Sequence, residues 1–319
     1  MRVWRSLEDV PSDLEQTVVT VGNFDGVHRG HQHVITRARE LAEQLNLRDV
    51  VAVTFDPHPI AVLRPEHAPP TLTTIDQRVE LLSRHGVDDV LVVPFSREIA
   101  DWSPETFVEE VLVDTLHASG VVVGANFRFG KRAAGDVALL RQLGAVHEFV
   151  TEGIALDGGP QVWSSTYIRT CLSSGDVEGA AEALGRPVAV RGVVQEGDRR
   201  GRDLGFPTAN VEASGTAVPA DGVYAGSLRV LDAPEKSDDS GELPAAISVG
   251  TNPTFEGERA RRVEAFVLDR DDLDLYGREV DVTFVHRIRG MRRFESVEEL
   301  VAAMTEDVEV TRATLKSRH

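Results

Sequence analysis

Two histidines, His28 and His31, carry the clearest chemical signal in this 319-residue chain. They end the run Val21-Gly22-Asn23-Phe24-Asp25-Gly26-Val27-His28-Arg29-Gly30-His31, where a strand-like pattern gives way to a helical one. Residues three apart share one face once a helix has begun. A helix start offers free N–H groups and the positive end of its dipole, so it favours anions. Two imidazoles aimed at an anion there can stabilise charge that develops on a phosphate during group transfer. Glycines on either side let a ligand approach the backbone closely.

Three other segments of the first half hold polar groups after strand-like runs. Thr54-Phe55-Asp56-Pro57-His58-Pro59 is a rigid turn that can present side chains; taken alone it is equally a plain proline turn. Ser164-Ser165-Thr166-Tyr167-Ile168-Arg169 reads as a helix start with hydroxyl caps, and Arg169 can face an anion; in isolation it is also an ordinary capped helix. Gly124-Ala125-Asn126-Phe127-Arg128-Phe129-Gly130-Lys131-Arg132 resembles a P-loop, but its spacing is one residue too long and Arg132 stands where Ser or Thr must hold magnesium. With two aromatics, Asn126 and basic Arg128 and Lys131, it can instead hold a flat ring and an anion, with core packing as the other use of at least one of Phe127 and Phe129.

The second half has its own constellation. Glycines 197, 201 and 205 and arginines 199, 200 and 202 make a positively charged loop that leads into Phe206-Pro207-Thr208-Ala209-Asn210. On a strand Thr208 and Asn210 point the same way. Their hydroxyl and amide oxygens are hard ligands suited to Mg²⁺ carrying ATP phosphates. Glu264, in Val263-Glu264-Ala265-Phe266, is a carboxylate within an apolar strand. Burial would raise its pKa toward that of a useful base, and strand alternation could equally turn it to solvent.

The elements that must position these residues differ between the halves. Apolar runs Thr17–Val21, Val50–Phe55, Val90–Val93 and Val121–Val123 alternate with helical patterns around residues 34–45, 75–85 and 104–116. Short continuous strands separated by helices predict a parallel sheet covered on both faces, with ligands beyond the carboxyl ends of the strands. From Val188 onward the runs Val188–Val194, Gly222–Leu231, Ala245–Val249, Val263–Leu268 and Val280–Val285 leave little room for helices, which predicts an antiparallel barrel or sandwich. Leu231 to Pro244 reads as an exposed hairpin loop. Ser296 and Glu299 form a capping-box pair that opens a closing helix through Leu300, Val301, Met304 and Val308. The change of character falls near residue 185, so the expected domains are 1–185 and 186–319.

Composition narrows the function. A net charge of −18 argues against a general nucleic-acid binder, which needs a basic footprint. No segment has the apolar length of a membrane span, the first residues lack a secretory core, and one cysteine, Cys171, fits a reducing compartment. The expectation is a cytoplasmic protein that contacts neither membrane nor nucleic acid.

Gly22–His31, Thr54–Pro59, Gly124–Asp136 and Ser164–Arg169 follow the order and approximate spacing of the bacterial bifunctional riboflavin kinase/FMN adenylyltransferases, which this half of the chain resembles. Pro207–Asn210, Gly222-Val223-Tyr224, Asn252-Pro253-Thr254-Phe255, Glu264 and Tyr276-Gly277 are similar, in order, to the riboflavin kinase domain of the same family. The resemblance implies a Rossmann-like nucleotidyltransferase domain, then an antiparallel riboflavin-kinase β-barrel with a C-terminal helix. It implies phosphorylation of riboflavin to FMN and adenylylation of FMN to FAD, with ATP as co-substrate, Mg²⁺ as cofactor, and ADP and pyrophosphate as products. It implies that Gly22, Phe24, His28, Gly30, His31, Ser165, Thr166 and Arg169 serve ATP in the first domain, and that His58, Pro59, Asn126 and Phe129 lie toward the flavin. Many relatives carry Asp where Asn126 stands. In the second domain it implies that Gly201, Gly205, Pro207, Thr208 and Asn210 serve ATP, with Thr208 and Asn210 on the metal and Glu264 as base. The catalytic set is then His28, His31 and Glu264. Two other readings predict different products: an adenylyltransferase for another phosphorylated small molecule, or a flavin-binding protein without turnover.

Overall fold

The computed structural model describes residues 1–155, 163–196, 204–213, 215–233, 241–251, 261–270 and 272–317, with residue 251 described by its backbone only. Gly201, the other residues of the 197–203 loop and Asn252–Phe255 lie outside the described residues. The chain forms two compact units, Met1–Thr71 with Ile75–Ser164, and Leu72–Thr74 with Ser165–His319.

The first unit is a six-stranded parallel sheet. Its strands are β1 (Arg2–Trp4), β2 (Thr17–Val21), β3 (Asp49–Asp56), β4 (Asp89–Pro94), β5 (Ala118–Gly124) and β6 (Val150–Ile154), in the order β1-β4-β3-β2-β5-β6. The central runs are Val-rich and buried on both faces, as a sheet covered by helices requires. Helix α1 (Arg29–Gln44) lays Val34, Ile35, Ala38, Leu41 and Ala42 on the sheet. Helix α2 (Ile75–Arg84) buries Val79, Leu81 and Leu82, and α3 (Val137–His147) buries Val137 and Leu140. The helix expected over 104–116 begins as one turn, Pro104–Phe107, and widens into a π-helical stretch, Val108–Thr115. There the Leu116 N–H donates to the Val111 carbonyl, five residues back, while Val108, Val111, Leu112 and Leu116 stay in the core.

The second unit opens with helices α4 (Ser165–Ser174) and α5 (Val177–Leu184). A closed antiparallel barrel follows: β7 (Val188–Gln195), β8 (Ala209–Ala213), β9 (Gly222–Val230), β10 (Leu243–Thr251), β11 (Arg261–Val267) and β12 (Glu279–Arg289). The order is β10-β11-β8-β7-β12-β9, and β9 closes the ring on β10. Between barrel and sandwich, the structure is therefore a barrel. Val190, Tyr224, Leu228, Ile247, Val263, Val282 and Phe284 fill its interior. Gly192 and Gly226 allow strands to close in: a Cβ would stand 2.1 Å from the Glu212 carbonyl at the first and 1.8 Å from the Thr283 carbonyl at the second. Arg287 of β12 donates to the carbonyls of Ser174 and Asp221, tying α4 to the barrel. Helix α6 (Val297–Lys316) is capped by Ser296 through the Glu299 N–H and held by the Arg289–Asp307 pair at 2.7 Å.

Candidate active sites

In the first unit the link from β2 to α1 is a tight, buried turn. Phe24 (φ 47°), Gly26 (φ 83°) and Val27 (φ 41°) all adopt left-handed backbone. Such a conformation costs a non-glycine residue on the order of 1–3 kcal/mol and persists only where its surroundings enforce it. Here Phe24, Asp25 and Val27 are almost fully buried. The turn delivers His28 to the N-cap of α1, where its carbonyl accepts from the Gln32 N–H.

The two imidazoles are brought together: their ring centroids stand 3.7 Å apart and the rings stack within 21°. Phe24 packs edge-on against His31 at 5.2 Å. Among the described residues, the Nδ1 of His31 is buried and meets no hydrogen-bond partner. Burial first, then the neighbouring charges of His28 and Arg78, push the His31 pKa well below its ordinary 6.5. At neutral pH His31 is thus an uncharged imidazole. Gly30 sits against this pair: a Cβ there would meet the His28 ring at 3.1 Å and the Trp163 carbonyl at 3.5 Å. Gly22 lies under the Phe24 ring, 3.3 Å from where its own Cβ would be.

Thr54 is buried at the carboxyl end of β3 and its hydroxyl donates to the Asn23 carbonyl. His58 caps the short helix Pro59–Leu63 by accepting from the Ile60 N–H, with Pro59 in its first turn, and both residues are partly exposed. The loop after β5 is pinned by the paired backbones of Phe129 and Gly135 and by the Asp136 cap of α3. Asn126 is exposed on it. Phe129 is a core residue, 6% exposed and tilted against Phe107, so core packing claims its ring. Phe127, stacked on Phe129 at 5.4 Å, keeps exposed surface. Arg128 pairs with Asp136 and Lys131 with Asp101, both near solvent. Ser165, Thr166 and Arg169 lie in the opening five residues of α4, in the second unit.

On the barrel, strand alternation separates core from chemistry. Val263 and Ala265 point inward and are buried, while Glu264 and Phe266 are partly exposed on the outer face. Ala209 and Val211 are likewise buried, and Asn210 is partly exposed. Asn210 stands directly opposite Glu264 in the β8–β11 register. Directly opposed residues of an antiparallel pair hold their Cβ atoms about 4.5–5.5 Å apart. The row continues on both sides, with Gln195 opposite Asn210 and Ser248 opposite Glu264. Four polar side chains thus cross four neighbouring strands on one outer face. Phe206 meets Phe266 edge-on at 5.3 Å beside this row. Thr208 and Pro207 are partly exposed just before β8, and Gly205 takes a left-handed φ of 85° in the exposed approach. An amide oxygen and a carboxylate in register, with a hydroxyl nearby, are a hard donor set. Mg²⁺ uses one or two such protein oxygens and completes its shell with phosphates and water, so these residues fit it.

A sequence profile for FAD synthetase matches residues 10–166, and one for riboflavin kinase matches residues 184–315. The bifunctional riboflavin kinase/FMN adenylyltransferase of Escherichia coli K12 is 37% identical over 92% of this chain and 91% of its own. This chain belongs to that family. The corresponding Pseudomonas fluorescens enzyme is 35% identical over 98% of this chain and 97% of its own. A solved structure described as a macrolide-efflux protein from Streptococcus pneumoniae is 30% identical, superposes with a TM-score of 0.85, and covers 97% of this chain and 98% of its own. The fold of this chain is therefore matched over nearly its whole length by a solved structure. Efflux is that protein's own description; among the described residues here, no helix is long and apolar enough to cross a membrane.

Several residues in these sites were not singled out from sequence. Arg78 lies on the buried stripe of α2, at helical spacing from Ile75 and Leu82, where a charge is unexpected. Ser248 interrupts an apolar strand as Glu264 does, and the same alternation would have found it.

Proposed function

We infer that this chain makes FAD from riboflavin in two ATP-dependent steps. The barrel domain, residues 186–319, phosphorylates riboflavin to FMN. The N-terminal domain, residues 1–185, transfers an adenylyl group from a second ATP to FMN and releases pyrophosphate. The observation that supports both sites is the pairing of a stacked imidazole couple at a helix start with an in-register Asn–Glu pair on a barrel strand, in one chain.

In the kinase site Glu264 accepts the proton of the ribityl 5′-hydroxyl as that oxygen attacks the γ-phosphorus of ATP; FMN and ADP leave. Thr208 and Asn210 would hold Mg²⁺, which supplies charge neutralisation along the triphosphate when bound. Phosphoryl transfer needs mainly positioning and neutralised charge. The glycine–arginine stretch 197–205 supplies further positive charge for the phosphates, with Gly201, Gly205 and Pro207 shaping the approach.

In the adenylyltransferase site a phosphate oxygen of FMN attacks the α-phosphorus of ATP, and the bond to pyrophosphate breaks. No protein nucleophile is required. His28 and His31 hydrogen-bond the phosphates as charge grows on them, and Arg169, Ser165 and Thr166 bind the triphosphate. Gly22, Phe24 and Gly30 shape the cradle. Asn126, His58 and Pro59 line the flavin side, where Phe129 acts by fixing the loop and Phe127 offers the ring surface. With its acidic charge and lone cysteine, the protein works in the cytoplasm without nucleic acid or membrane.

The test is product analysis. Riboflavin, ATP and Mg²⁺ are incubated with the protein and FMN and FAD are separated by chromatography. His28→Ala stops FAD formation and spares FMN formation; Glu264→Ala does the reverse when FMN is supplied. Absence of any flavin product from the unaltered chain would refute the reading.

A further inference from the structure

Arg78 is 2% exposed, a depth at which a cation needs partners. From α2 its guanidinium donates to the Thr54 hydroxyl at 3.1 Å and to the Phe55 carbonyl at 3.5 Å, and stands 3.6 Å from the Asp25 carboxylate. Asp25 lies inside the left-handed turn that precedes His28, and its side chain is buried too. Thr54 is shared: its hydroxyl accepts from Arg78 and donates to the Asn23 carbonyl at 3.0 Å. One planar cation therefore ties α2 to the strained turn after β2, which leads into His28, and to the end of β3. A guanidinium can serve several acceptors in fixed directions, which a lysine ammonium cannot.

We propose that Arg78 is a positioning residue for adenylyl transfer, clamping the Asn23–Val27 turn through Asp25 and Thr54 so that His28 and His31 face the reacting phosphates. This rests on the assignment of adenylyl transfer to the first domain. Arg78 touches no reacting atom; it acts through the turn and through its charge. The charged or titratable groups that act on His31 include His28 at the N-cap of α1 and Arg78 on α2, and Arg78 in turn faces Asp25 in the turn. Removing the cation weakens the anchor of the turn and also takes away one charge that, after burial and His28, holds the His31 pKa down.

The experiment compares Arg78→Met, Arg78→Lys and Thr54→Val by FAD formation from FMN and ATP across pH, with FMN formation and thermal unfolding measured on the same samples. A misplacement of about 1 Å at a reacting centre costs roughly 100-fold in rate. Arg78→Met is expected to lower kcat for FAD formation at least tenfold, leave FMN formation unchanged, and move the acidic limb of the FAD profile to higher pH. Arg78→Lys restores the limb and part of kcat. Thr54→Val, which keeps the charge but cuts its link to Asn23, lowers kcat without moving the limb. If Arg78→Met fails to fold, the other two variants decide: unaltered kcat in Thr54→Val overturns the proposal. So does a folded Arg78→Met with normal kcat, or one whose loss is matched by Arg78→Lys with no movement of the limb. Histidine ring NMR titrations of the same variants separate this from the assignment. Altered His28 and His31 ring signals in Thr54→Val as well as in Arg78→Met sustain the clamp even if the unaltered protein made no FAD; unaltered ring signals in both remove it.

Discussion

Replacing Gly30 with alanine separates stability from catalysis in a way that follows from two distances. Gly30 is the second residue of α1, and an alanine at a helical position is favoured over glycine by about 0.5–1 kcal/mol. The added Cβ would lie 3.1 Å from His28 Cε1 and 3.2 Å from its Nδ1. Ordinary van der Waals contact begins at 3.4 Å, so the ring must retreat by roughly 0.3 Å. His28 is 5% exposed and stacked on His31, so the retreat is resisted and much of the helix gain is offset. Scaling the loss of about 100-fold per 1 Å gives roughly a fourfold drop for 0.3 Å, and more if the stacked partner is carried along. The expected outcome is unfolding free energy within about 1 kcal/mol of the parent, FAD formation lower by about fourfold or more, and FMN formation unchanged. Calorimetry or urea unfolding supplies the first quantity, and timed chromatography of flavin products the others. Unchanged FAD formation, or an equal fall in both activities, would refute the placement of His28 at the reacting phosphates.

Glu264→Gln keeps shape and removes the base, so FMN formation should fall by roughly 10²–10⁴-fold while adenylylation of supplied FMN continues, as a coupled product assay reads. Asn210→Ala should raise the Mg²⁺ concentration needed for half-maximal FMN formation and leave that for FAD formation unaltered; chelation with excess EDTA should stop both activities until Mg²⁺ is returned. Because the folded His31 pKa lies below 6.5, the unfolded chain binds more protons in the window beneath 6.5. The contribution of this group is then full above pH 6.5 and is lost as pH falls below it, a slope that His31→Gln should reduce in urea titrations. Gly226→Ala places a Cβ 1.8 Å from the Thr283 carbonyl and should destabilise the barrel by about 3 kcal/mol or more, lowering the melting temperature and the amount of active kinase.

Much of this architecture was readable from spacing alone. The Val-rich runs gave β2, β3 and β4 within a residue at each end and β5 with its first three residues missed, and the Ser296–Glu299 cap marked the start of α6. Short or edge elements were not readable: β1 has three residues, and β6 is an edge strand whose partly exposed sequence includes a glycine. The π-helical widening after Phe107 has no periodic signature distinct from a helix, because the same apolar residues stay inward. The histidine pair was legible because three residues equal nearly one helical turn. Glu264 and Asn210 were legible as residue types, but their register comes from two strands more than fifty residues apart, which no local pattern encodes. Arg78 was hidden for the same reason, since its partners Asp25 and Thr54 come from distant segments.

The barrel's alternation lets a five- or seven-residue strand serve two masters with separate constituencies. Inward methyls of Val211, Val263 and Ala265 hold the ring shut, while the intervening Asn210 and Glu264 face whatever is bound outside. Evolution can therefore retune the outward polar row without disturbing the hydrocarbon interior. Conversely, an inward swap such as Val263→Thr should damage folding first and chemistry only as a consequence.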